Sequence, residues 1–281
     1  MPFIFVLIWS TGFVVAKFGL PYAPPLTFLL LRFAGVLLVL LPLVWIMRAP
    51  WPIGQFRHIA LSGILLHAGY RAGVWCAIKL GMPAGLSALI VGLQPVLTAF
   101  AAPLVGERVQ GRQWLGLMLG LGGVALVVAN KMSLIGLTWE TVGFCLMALL
   151  SITAGTLYQK RYCAHFDLRT GTVIQFLASA AIILPLAVLF EDFTPALATV
   201  SWTPEFVAAL LWSILALSIG AVFLLFALIR KSAATKVTSL LYLTPPTTAL
   251  MAWAMFGEVF SLTGLVGMLL AVLGVAFVVK K

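Results

Sequence analysis

The chain has 281 residues, of which 63% are hydrophobic and only 9% are charged, and its mean hydropathy is +1.17. Charged residues make up about a quarter of an ordinary soluble domain, so this composition excludes one and indicates a protein that uses lipid as its solvent. The formal net charge of +10 would indicate nucleic-acid binding in a soluble protein; here the positive-inside rule accounts for it, because Lys and Arg hold cytoplasmic loops in place.

Ten apolar segments follow one another along the chain, each close to the roughly 20 residues that cross a bilayer as a helix. The N-terminal segment lacks a basic leader and a small-residue cleavage site, so we expect a transmembrane helix and not a signal peptide. The sequence predicts an all-α integral membrane protein with spans at approximately 3–20, 27–47, 57–79, 84–105, 112–129, 139–159, 170–190, 204–229, 235–256 and 262–279.

The distribution of Lys and Arg between the loops predicts the orientation of these spans. With a cytoplasmic N-terminus, twelve Lys and Arg residues fall on the inside, and three (Lys17, Lys79 and Lys131) fall on the outside. We therefore expect both termini in the cytoplasm. Arg32 and Arg71 belong to neither group, because they fall within the second and third spans.

The fourth and ninth spans share a pattern. The segments GLQPVLTAFAAPLVGE (92–107) and LTPPTTALMAWAMFGE (243–258) end in the same Gly-Glu and place Pro95 and Pro246 at the same position, at an offset of 151 residues. The same offset aligns glycines of the fifth and tenth spans, namely Gly116 with Gly267 and Gly123 with Gly274. Each half then holds five spans, an odd number, so we predict two repeats, 1–130 and 139–281, of which the second is inverted in the membrane.

Proline inside a helix removes a backbone hydrogen bond and bends the helix, and in lipid the freed carbonyl needs a polar partner. Paired interruptions in two inverted halves favour a substrate cavity between the halves, near the middle of the membrane. The general abundance of proline in membrane helices is the alternative explanation. We predict that Pro95 and Pro246 are helix kinks beside a central cavity.

With these tandem units, the chain resembles the drug/metabolite transporter superfamily and, within it, the EamA-type ten-helix group. The resemblance covers essentially the whole chain and rests on Trp9-Ser10-Thr11-Gly12, Arg32, Pro95–Glu107, Pro246–Glu258 and the glycine-rich fifth and tenth spans. It implies a basket of helices around a central cavity, alternating access and, for a bacterial member, residence in the inner membrane. Bacterial members largely export amino acids and related metabolites, and one branch exports aromatic amino acids; plastid and Golgi relatives carry sugar phosphates or nucleotide sugars.

The third span has the most polar interior, because it contains His67, Tyr70, Arg71 and Trp75. His67 and Arg71 are four residues apart with Tyr70 between them, so the three side chains share one side of a helix. An ionisable residue within a membrane is by default a candidate functional residue. Arg71 is a candidate to bind a substrate carboxylate, or a residue whose side chain reaches the interface; His67 is a candidate proton carrier, or a buried core histidine.

Polar side chains also occur in the other spans. Gln94 precedes Pro95 and is a candidate to bind substrate or to satisfy the carbonyl that the proline frees. Spans six and seven add Ser151, Thr153, Thr156, Tyr158, Gln159, Gln175 and Ser179. Each hydroxyl alone is more typical of a bond between helices, whereas their clustering predicts a pocket. The predicted substrate-binding residues are Trp9, Ser10, His67, Tyr70, Arg71, Trp75, Gln94, Tyr242 and Thr244.

By this span map none of the seven acidic residues lies near the middle of the membrane. Proton-driven antiporters usually carry a buried Asp or Glu there, so we expect a facilitator, or an exporter whose coupling uses no carboxylate. We find no P-loop and no nucleophile motif, and Cys76, Cys145 and Cys163 follow no ligand spacing. We therefore expect no enzyme activity, cofactor or metal. Glu107 and Glu258 are expected to fix helix ends.

These features predict an exporter of amino acids, aromatic ones first, that works by alternating access as a monomer or homodimer. An apolar substrate side chain suits a lining with the aromatic residues Trp9, Tyr70, Trp75 and Tyr242, and few polar groups are needed to orient the α-amino and carboxylate ends. We expect a small-molecule substrate and no nucleic-acid partner.

Two alternatives stay open at this point. Exchange of phosphorylated metabolites or nucleotide sugars needs cationic groups that converge on phosphate, and Arg32, Arg71 and Lys17 are too scattered along the chain to favour it. The other is a structural or lipid-handling membrane protein. A structural protein would not need matched prolines in two spans, and a lipid-handling enzyme would need a nucleophile or acid that the sequence does not reveal.

Overall fold

The computed structural model describes residues 2–82, 84–129, 138–163, 166–191, 200–256 and 261–279. Within these ranges the secondary structure is helical and contains no β-strand. Every predicted span is a helix whose ends lie within three residues of the prediction. In chain order the helices are α1 (Pro2–Gly19), α2 (Pro25–Ile46), α3 (56–79), α4 (84–105), α5 (Gly111–Ala129), α6 (Trp139–Tyr162), α7 (Leu168–Phe190), α8 (Pro204–Lys231), α9 (234–256) and α10 (Leu262–Val279).

Six of these helices, α2, α5, α6, α7, α8 and α10, are by themselves long and apolar enough to cross a membrane. The other four, α1, α3, α4 and α9, are shorter, interrupted or more polar, and they pack in the same bundle. Large apolar side chains cover the outward faces: Trp45 is 82% exposed and Phe190 is 76% exposed. Such faces are unfavourable in water and suit lipid chains, so the prediction of an all-α membrane protein is confirmed.

The prolines of the repeated motif mark breaks in α4 and α9. Helix α4 stops at Val91 and resumes at Gln94, and a short 3₁₀ stretch, Leu240–Leu243, interrupts α9 before Thr244. Pro95 and Pro246 therefore lie in the first turn of the resumed helix, where a backbone N–H has no partner within the helix. The predicted mid-helix kinks are thus wrong in detail: each helix is broken just before its proline, at equivalent positions.

A second irregularity also occurs twice. Residues Ile64–Gly69 of α3 and Ser213–Gly220 of α8 form π-helical turns, and an offset of 151 residues superimposes the first on 215–220. π-Helical turns are rare and are found frequently at functional sites, because they displace side chains from their normal helical positions. Composition alone gave no sign of them.

Equivalent helices contact one another across the bundle. Helices α5 and α10 pack antiparallel, since a Cβ on Gly116 would lie 2.6 Å from the carbonyl oxygen of Gly274, and a Cβ on Gly123 would lie 2.6 Å from that of Gly267. In the same way α2 packs on α7 and α4 on α9, and the contact of α3 with α6 corresponds to that of α8 with α1. The division into repeats 1–130 and 139–281 stays a prediction. It is supported by the finding that corresponding helices of the two halves make matching contacts.

Glu107 fixes a helix end, as its position indicates. Gly106 takes the left-handed conformation, with φ at 76°, and turns the chain so that the Glu107 carboxylate accepts hydrogen bonds from the backbone N–H of Ala234 at 2.9 Å. Ala234 begins α9, so the carboxylate stabilises the N-terminus of that helix. The Nζ of Lys160 lies 3.9 Å from the same carboxylate. Glu258, the equivalent residue, lies outside the described residues.

Candidate functional site

A cavity opens between α1, α2, α3 and α8, at the level of the two π-helical turns. The space between its side chains, including its opening to the surroundings, is about 600 Å³. We call it the arginine cavity; its described lining consists of Trp9, Gly12, Arg32, Tyr70, Arg71, Val74, Trp75, Ile78 and Leu217.

Arg71 is buried at this cavity, and one of its hydrogen-bond donors is unsatisfied in the described part of the chain. Its side chain is 6% exposed, and its Nη1 has no hydrogen-bond partner among the described residues. The guanidinium carbon lies 5.8 Å from the ring centre of Phe176, which supports the cation from one side. A buried guanidinium of this kind leaves donors for an anion. The alternative that Arg71 merely reaches the interface does not fit its burial.

Arg32 of α2 reaches the same cavity. Its Nε donates to the Oγ of Ser218 at 2.7 Å, within the π-helical turn of α8, and its side chain is 5% exposed. The expectation that Arg32 and Arg71 are too scattered to converge is therefore wrong, because the fold brings them to one cavity. The side chain of Lys17 lies outside the described part of the chain.

Aromatic side chains supply the apolar part of the lining. The ring of Trp75 stacks on Phe28 with centres 4.9 Å apart, which fixes its orientation. Trp9 packs 5.2 Å from Phe5 and lines both this cavity and the next one, so it lies between the two. Tyr70 borders the arginine cavity beside Arg71. Rings and guanidinium groups together can hold a small molecule with one apolar end and one anionic end.

A second, narrower space of about 390 Å³, including its opening to the surroundings, lies on the other side of Trp9. We call it the glutamine cavity; it is lined by residues that include Leu66, His67, Gln94, Thr156, Val222 and Thr238. The amide nitrogen of Gln94 donates to the Thr156 hydroxyl at 3.2 Å, and its oxygen has no partner among the described residues. Gln94 begins the resumed part of α4, so the helix break presents this side chain to the cavity.

His67 is held by a polar network between α3, α6 and α7. Its Nε2 lies 3.4 Å from the Gln175 side-chain oxygen, and its ring stacks on Phe176 with centres 4.4 Å apart. The Gln175 amide nitrogen donates to Ser62 at 2.8 Å and to Gln159 at 3.1 Å. His67 is thus largely a satisfied interior residue, although its Nδ1 has no partner among the described residues.

Three predicted site residues do not line either cavity in the described structure. The Ser10 hydroxyl donates to the carbonyl of Val6 at 2.7 Å, within its own helix. Tyr242 is 1% exposed and packs on α5, where a Cβ on Gly120 would lie 2.3 Å from its ring. Thr244 is buried at the break in α9. Trp9, His67, Tyr70, Arg71, Trp75 and Gln94 do line a cavity.

Sequence reasoning missed Arg32, Ser218 and Leu217 as members of the site. Arg32 carried a usable signal, since it is an ionisable residue in an apolar span. Ser218 and Leu217 carried none, because small polar and apolar residues are common throughout such spans.

The lining of the arginine cavity is cationic and has no carboxylate to balance it. No acidic residue precedes Glu107 in the sequence, so α1, α2 and α3 contain none. Among the described residues, neither Arg32 nor Arg71 forms an ion pair. The described part of the chain also holds no group of three His, Cys, Asp or Glu residues suited to a metal ion.

The family model of the EamA-like transporter family matches residues 1–129 and again 139–280. The chain belongs to the EamA-like transporter family. It is 30% identical over 98% of its length to YvbV of Bacillus subtilis (strain 168), named an uncharacterized transporter, and covers 89% of that protein. It is 25% identical over 92% of its length to YedA of Escherichia coli (strain K12), named an uncharacterized inner membrane transporter, of which it covers 83%.

A third relative carries a more specific name. The chain is 32% identical over 161 residues, 57% of its length, to the "Probable amino-acid metabolite efflux pump" of Salmonella typhimurium (strain LT2), and covers 52% of that protein. A solved crystal structure superposes with a TM-score of 0.79 over 98% of this chain and 94% of the other, at 21% identity, which shows the same fold. The protein is therefore a multi-pass membrane transporter of the EamA family, within the drug/metabolite transporter superfamily.

Proposed function

We propose that this transporter exports amino acids and amino-acid metabolites with aromatic or other apolar side chains, from a bacterial cell whose inner membrane it spans with both termini in the cytoplasm. The observation that carries the proposal is the arginine cavity, where Arg32 and Arg71 meet Trp9, Tyr70 and Trp75. The guanidinium groups bind the carboxylate and the rings pack against the side chain.

The twice-occurring irregularities support alternating access around this cavity. Broken helices and π-helical turns at equivalent positions provide points where the two halves can rock about a fixed site. The relative named an amino-acid metabolite efflux pump supports the substrate class, and the relative named an inner membrane transporter supports the location. In this mechanism the substrate enters from the cytoplasm, binds between the halves and leaves on the other side.

The first experiment is uptake of labelled phenylalanine by liposomes that contain the purified protein, compared with empty liposomes, with no ion gradient imposed. We expect saturable entry that other apolar amino acids inhibit. Arg71→Ala should slow uptake roughly 10- to 100-fold, because hydrogen bonds to a charged group contribute about 1.5–3 kcal/mol. Gln94→Ala should slow it less, because it removes one neutral partner in the glutamine cavity.

The matched control is Arg57→Ala, which removes an exposed arginine from the same helix, α3. It should transport as the wild type does. Full-rate uptake by both Arg71→Ala and Gln94→Ala, at equal amounts of folded protein, would contradict this assignment of the site.

Exchange of phosphorylated metabolites is a second candidate function. The structure supports it more strongly than the sequence did, because Arg32 and Arg71 converge on one cavity. Two guanidinium groups can share the charge of a phosphate. Liposomes loaded with inorganic phosphate and given labelled phosphate outside would exchange label if this were the function. Phenylalanine uptake without phosphate exchange would exclude it.

A further inference from the structure

The arginine cavity has an excess of positive charge that a zwitterionic amino acid, with no net charge, cannot neutralise. Two guanidinium groups line it, and eight of its nine described lining residues come from α1, α2 and α3, which contain no acidic residue. A zwitterion would bring one carboxylate to two cations and would also bring an ammonium group. That ammonium group would find no carboxylate in the described lining and would be repelled by both guanidinium groups.

The unpaired donor of Arg71 points to the same requirement. Arg32 has a fixed neutral acceptor in Ser218, at 2.7 Å, whereas Nη1 of Arg71 is buried without a partner in the described structure. A buried cationic donor without a partner is energetically unfavourable, and an anion that binds there would satisfy it. The site should therefore bind anions in preference to neutral or zwitterionic molecules. An acylated or absent amino group removes the repulsion and leaves the carboxylate contacts unchanged.

We propose, on the basis of the proposed function, that the preferred substrates are net-anionic derivatives of apolar amino acids, such as N-acyl amino acids, and that their transport carries net negative charge across the membrane. Over one full cycle the protein returns to its starting state, so the charge moved equals the charge of the substrate. In a cell whose interior is electrically negative, the membrane potential then drives these anions outward. Export needs no coupling ion and no carboxylate relay.

The test uses liposomes with purified protein, a potassium gradient and valinomycin, with labelled N-acetylphenylalanine and labelled phenylalanine as probes. With the interior positive, N-acetylphenylalanine should accumulate above its outside concentration, and a tenfold accumulation corresponds to about 59 mV for a monoanion. Phenylalanine should equilibrate without accumulating. Reversing the potential should exclude N-acetylphenylalanine and leave the equilibrium level of phenylalanine unchanged.

The arginines are tested through the ratio of initial rates for the two probes. Arg32→Gln and Arg71→Gln should each lower the ratio of N-acetylphenylalanine to phenylalanine transport at least about fivefold, because each removes one charge from the site. Arg57→Gln, the exposed control on α3, should keep the wild-type ratio. An unchanged ratio in both cavity variants overturns the proposal.

The remaining outcomes separate this inference from the proposed function. Saturable phenylalanine uptake with no preference for the anion, or anion uptake that follows a pH gradient when the potential is clamped at zero, overturns the inference alone. If neither probe enters above the level of empty liposomes, both the inference and the proposed function fail. Uptake of the anion alone supports the inference and narrows the proposed function to substrates without an ammonium group.

Discussion

Helices α3 and α8 share a backbone irregularity and differ in the side chains around it. Both contain π-helical turns that end at equivalent glycines, Gly69 and Gly220. When the two halves are aligned at the offset of 151 residues, however, the ionisable and aromatic residues of α3 align with small or apolar residues of α8. His67 corresponds to Ser218, Tyr70 to Ala221 and Arg71 to Val222.

This difference shows that the two halves of the chain have the same backbone irregularity but supply different side chains to the cavity. A backbone deformation that occurs in both helices is a property of the fold, and it fits the rocking motion that we propose for alternating access. Both guanidinium groups that line the arginine cavity come from the first half, and the second half contributes the Ser218 hydroxyl that orients Arg32. Substrate recognition should therefore be sensitive to substitutions in α2 and α3 and much less sensitive in α8.

The largest expected effect follows from giving α3 the residue that α8 carries. Arg71→Val leaves the π-helical turn in place and removes the unpaired guanidinium, so uptake of labelled anionic substrate should fall at least about tenfold. The thermal unfolding temperature in detergent should stay the same or rise, because a buried and unsatisfied cation is replaced by an apolar side chain.

Measuring the rate and the unfolding temperature together decides what this variant means. A fall in both would show that Arg71 holds the helices together, and the contrast between α3 and α8 would then concern packing and not recognition.

A smaller effect on transport is expected from substitution of Ser218, which lies in α8, the helix compared with α3. Ser218→Ala removes the acceptor that fixes the Nε of Arg32, so Arg32 becomes less well positioned. KM should rise roughly three- to tenfold, less than for the loss of a direct hydrogen bond to the charged substrate, because the Arg32 side chain itself remains. Ser213→Ala is the matched control, because the Ser213 hydroxyl lies in the same π-helical turn and has no partner among the described residues. Equal KM values in the two variants would show that Ser218 does not position Arg32.

Much of this architecture could be predicted from the sequence, because it follows from local composition. Apolar segments of spanning length gave all ten helices, and the Gly-Glu and Pro matches gave the equivalent breaks in α4 and α9. The prolines themselves misled in one respect, since a proline is accommodated best in a first turn, and both helices restart just before it.

The site was less predictable, because it depends on which side chains the bundle brings together. Arg32 and Arg71 are 39 residues apart in sequence, and no local pattern shows that α2 and α3 direct both to one cavity. Tyr242 was expected in the lining because it is a polar aromatic residue near a break. Gly120 leaves room for its ring against α5 instead, which is a contact between distant segments.

The equivalent glycines offer a test of the shared backbone that should change stability more than transport specificity. A Cβ on Gly69 would lie 2.6 Å from the Oγ of Ser151 in α6, whereas a Cβ on Gly220 would have no neighbour closer than 3.5 Å. Gly69→Ala should therefore destabilise the protein by about 1–2 kcal/mol through overpacking. Gly220→Ala should be neutral, or stabilising by up to about 1 kcal/mol, because Ala is the better helix former.

Unfolding temperatures of the two variants, measured in the same detergent, check this expectation. Equal destabilisation would mean that the π-helical turns themselves require glycine, and the packing explanation would be wrong. Adding Ser151→Ala to Gly69→Ala should restore part of the lost stability, because it removes the atom that the new Cβ would meet.

The smallest effect is expected where α2 and α7, another equivalent pair, begin. Helix α2 is capped from a distance: the backbone N–H groups of Leu26 and Thr27 each donate to the Glu191 carboxylate at 2.8 Å. Helix α7 carries its own cap, Asp167, whose carboxylate accepts from the backbone N–H of Arg169 at 2.9 Å and from its guanidinium at 2.6 and 2.9 Å. The guanidinium and the backbone N–H of Arg169 hold the pKa of Asp167 below its usual value.

A lowered pKa in the folded state means that the carboxylate stabilises the protein above the unfolded pKa of about 3.9, and that this contribution is lost as the pH falls through the folded value. Asp167→Asn keeps a good N-cap and loses only the ion pair, so it should cost about 0.2–1 kcal/mol at pH 7, and this cost should shrink as the pH falls below about 3.9. Unfolding temperatures of the variant and the wild type, measured from pH 7 to pH 3, should converge at the acid end. A difference that stays constant from pH 7 to pH 3 would assign the loss to the cap and not to the charge, and α2 and α7 would then begin in the same way, each through hydrogen bonds to its first turn.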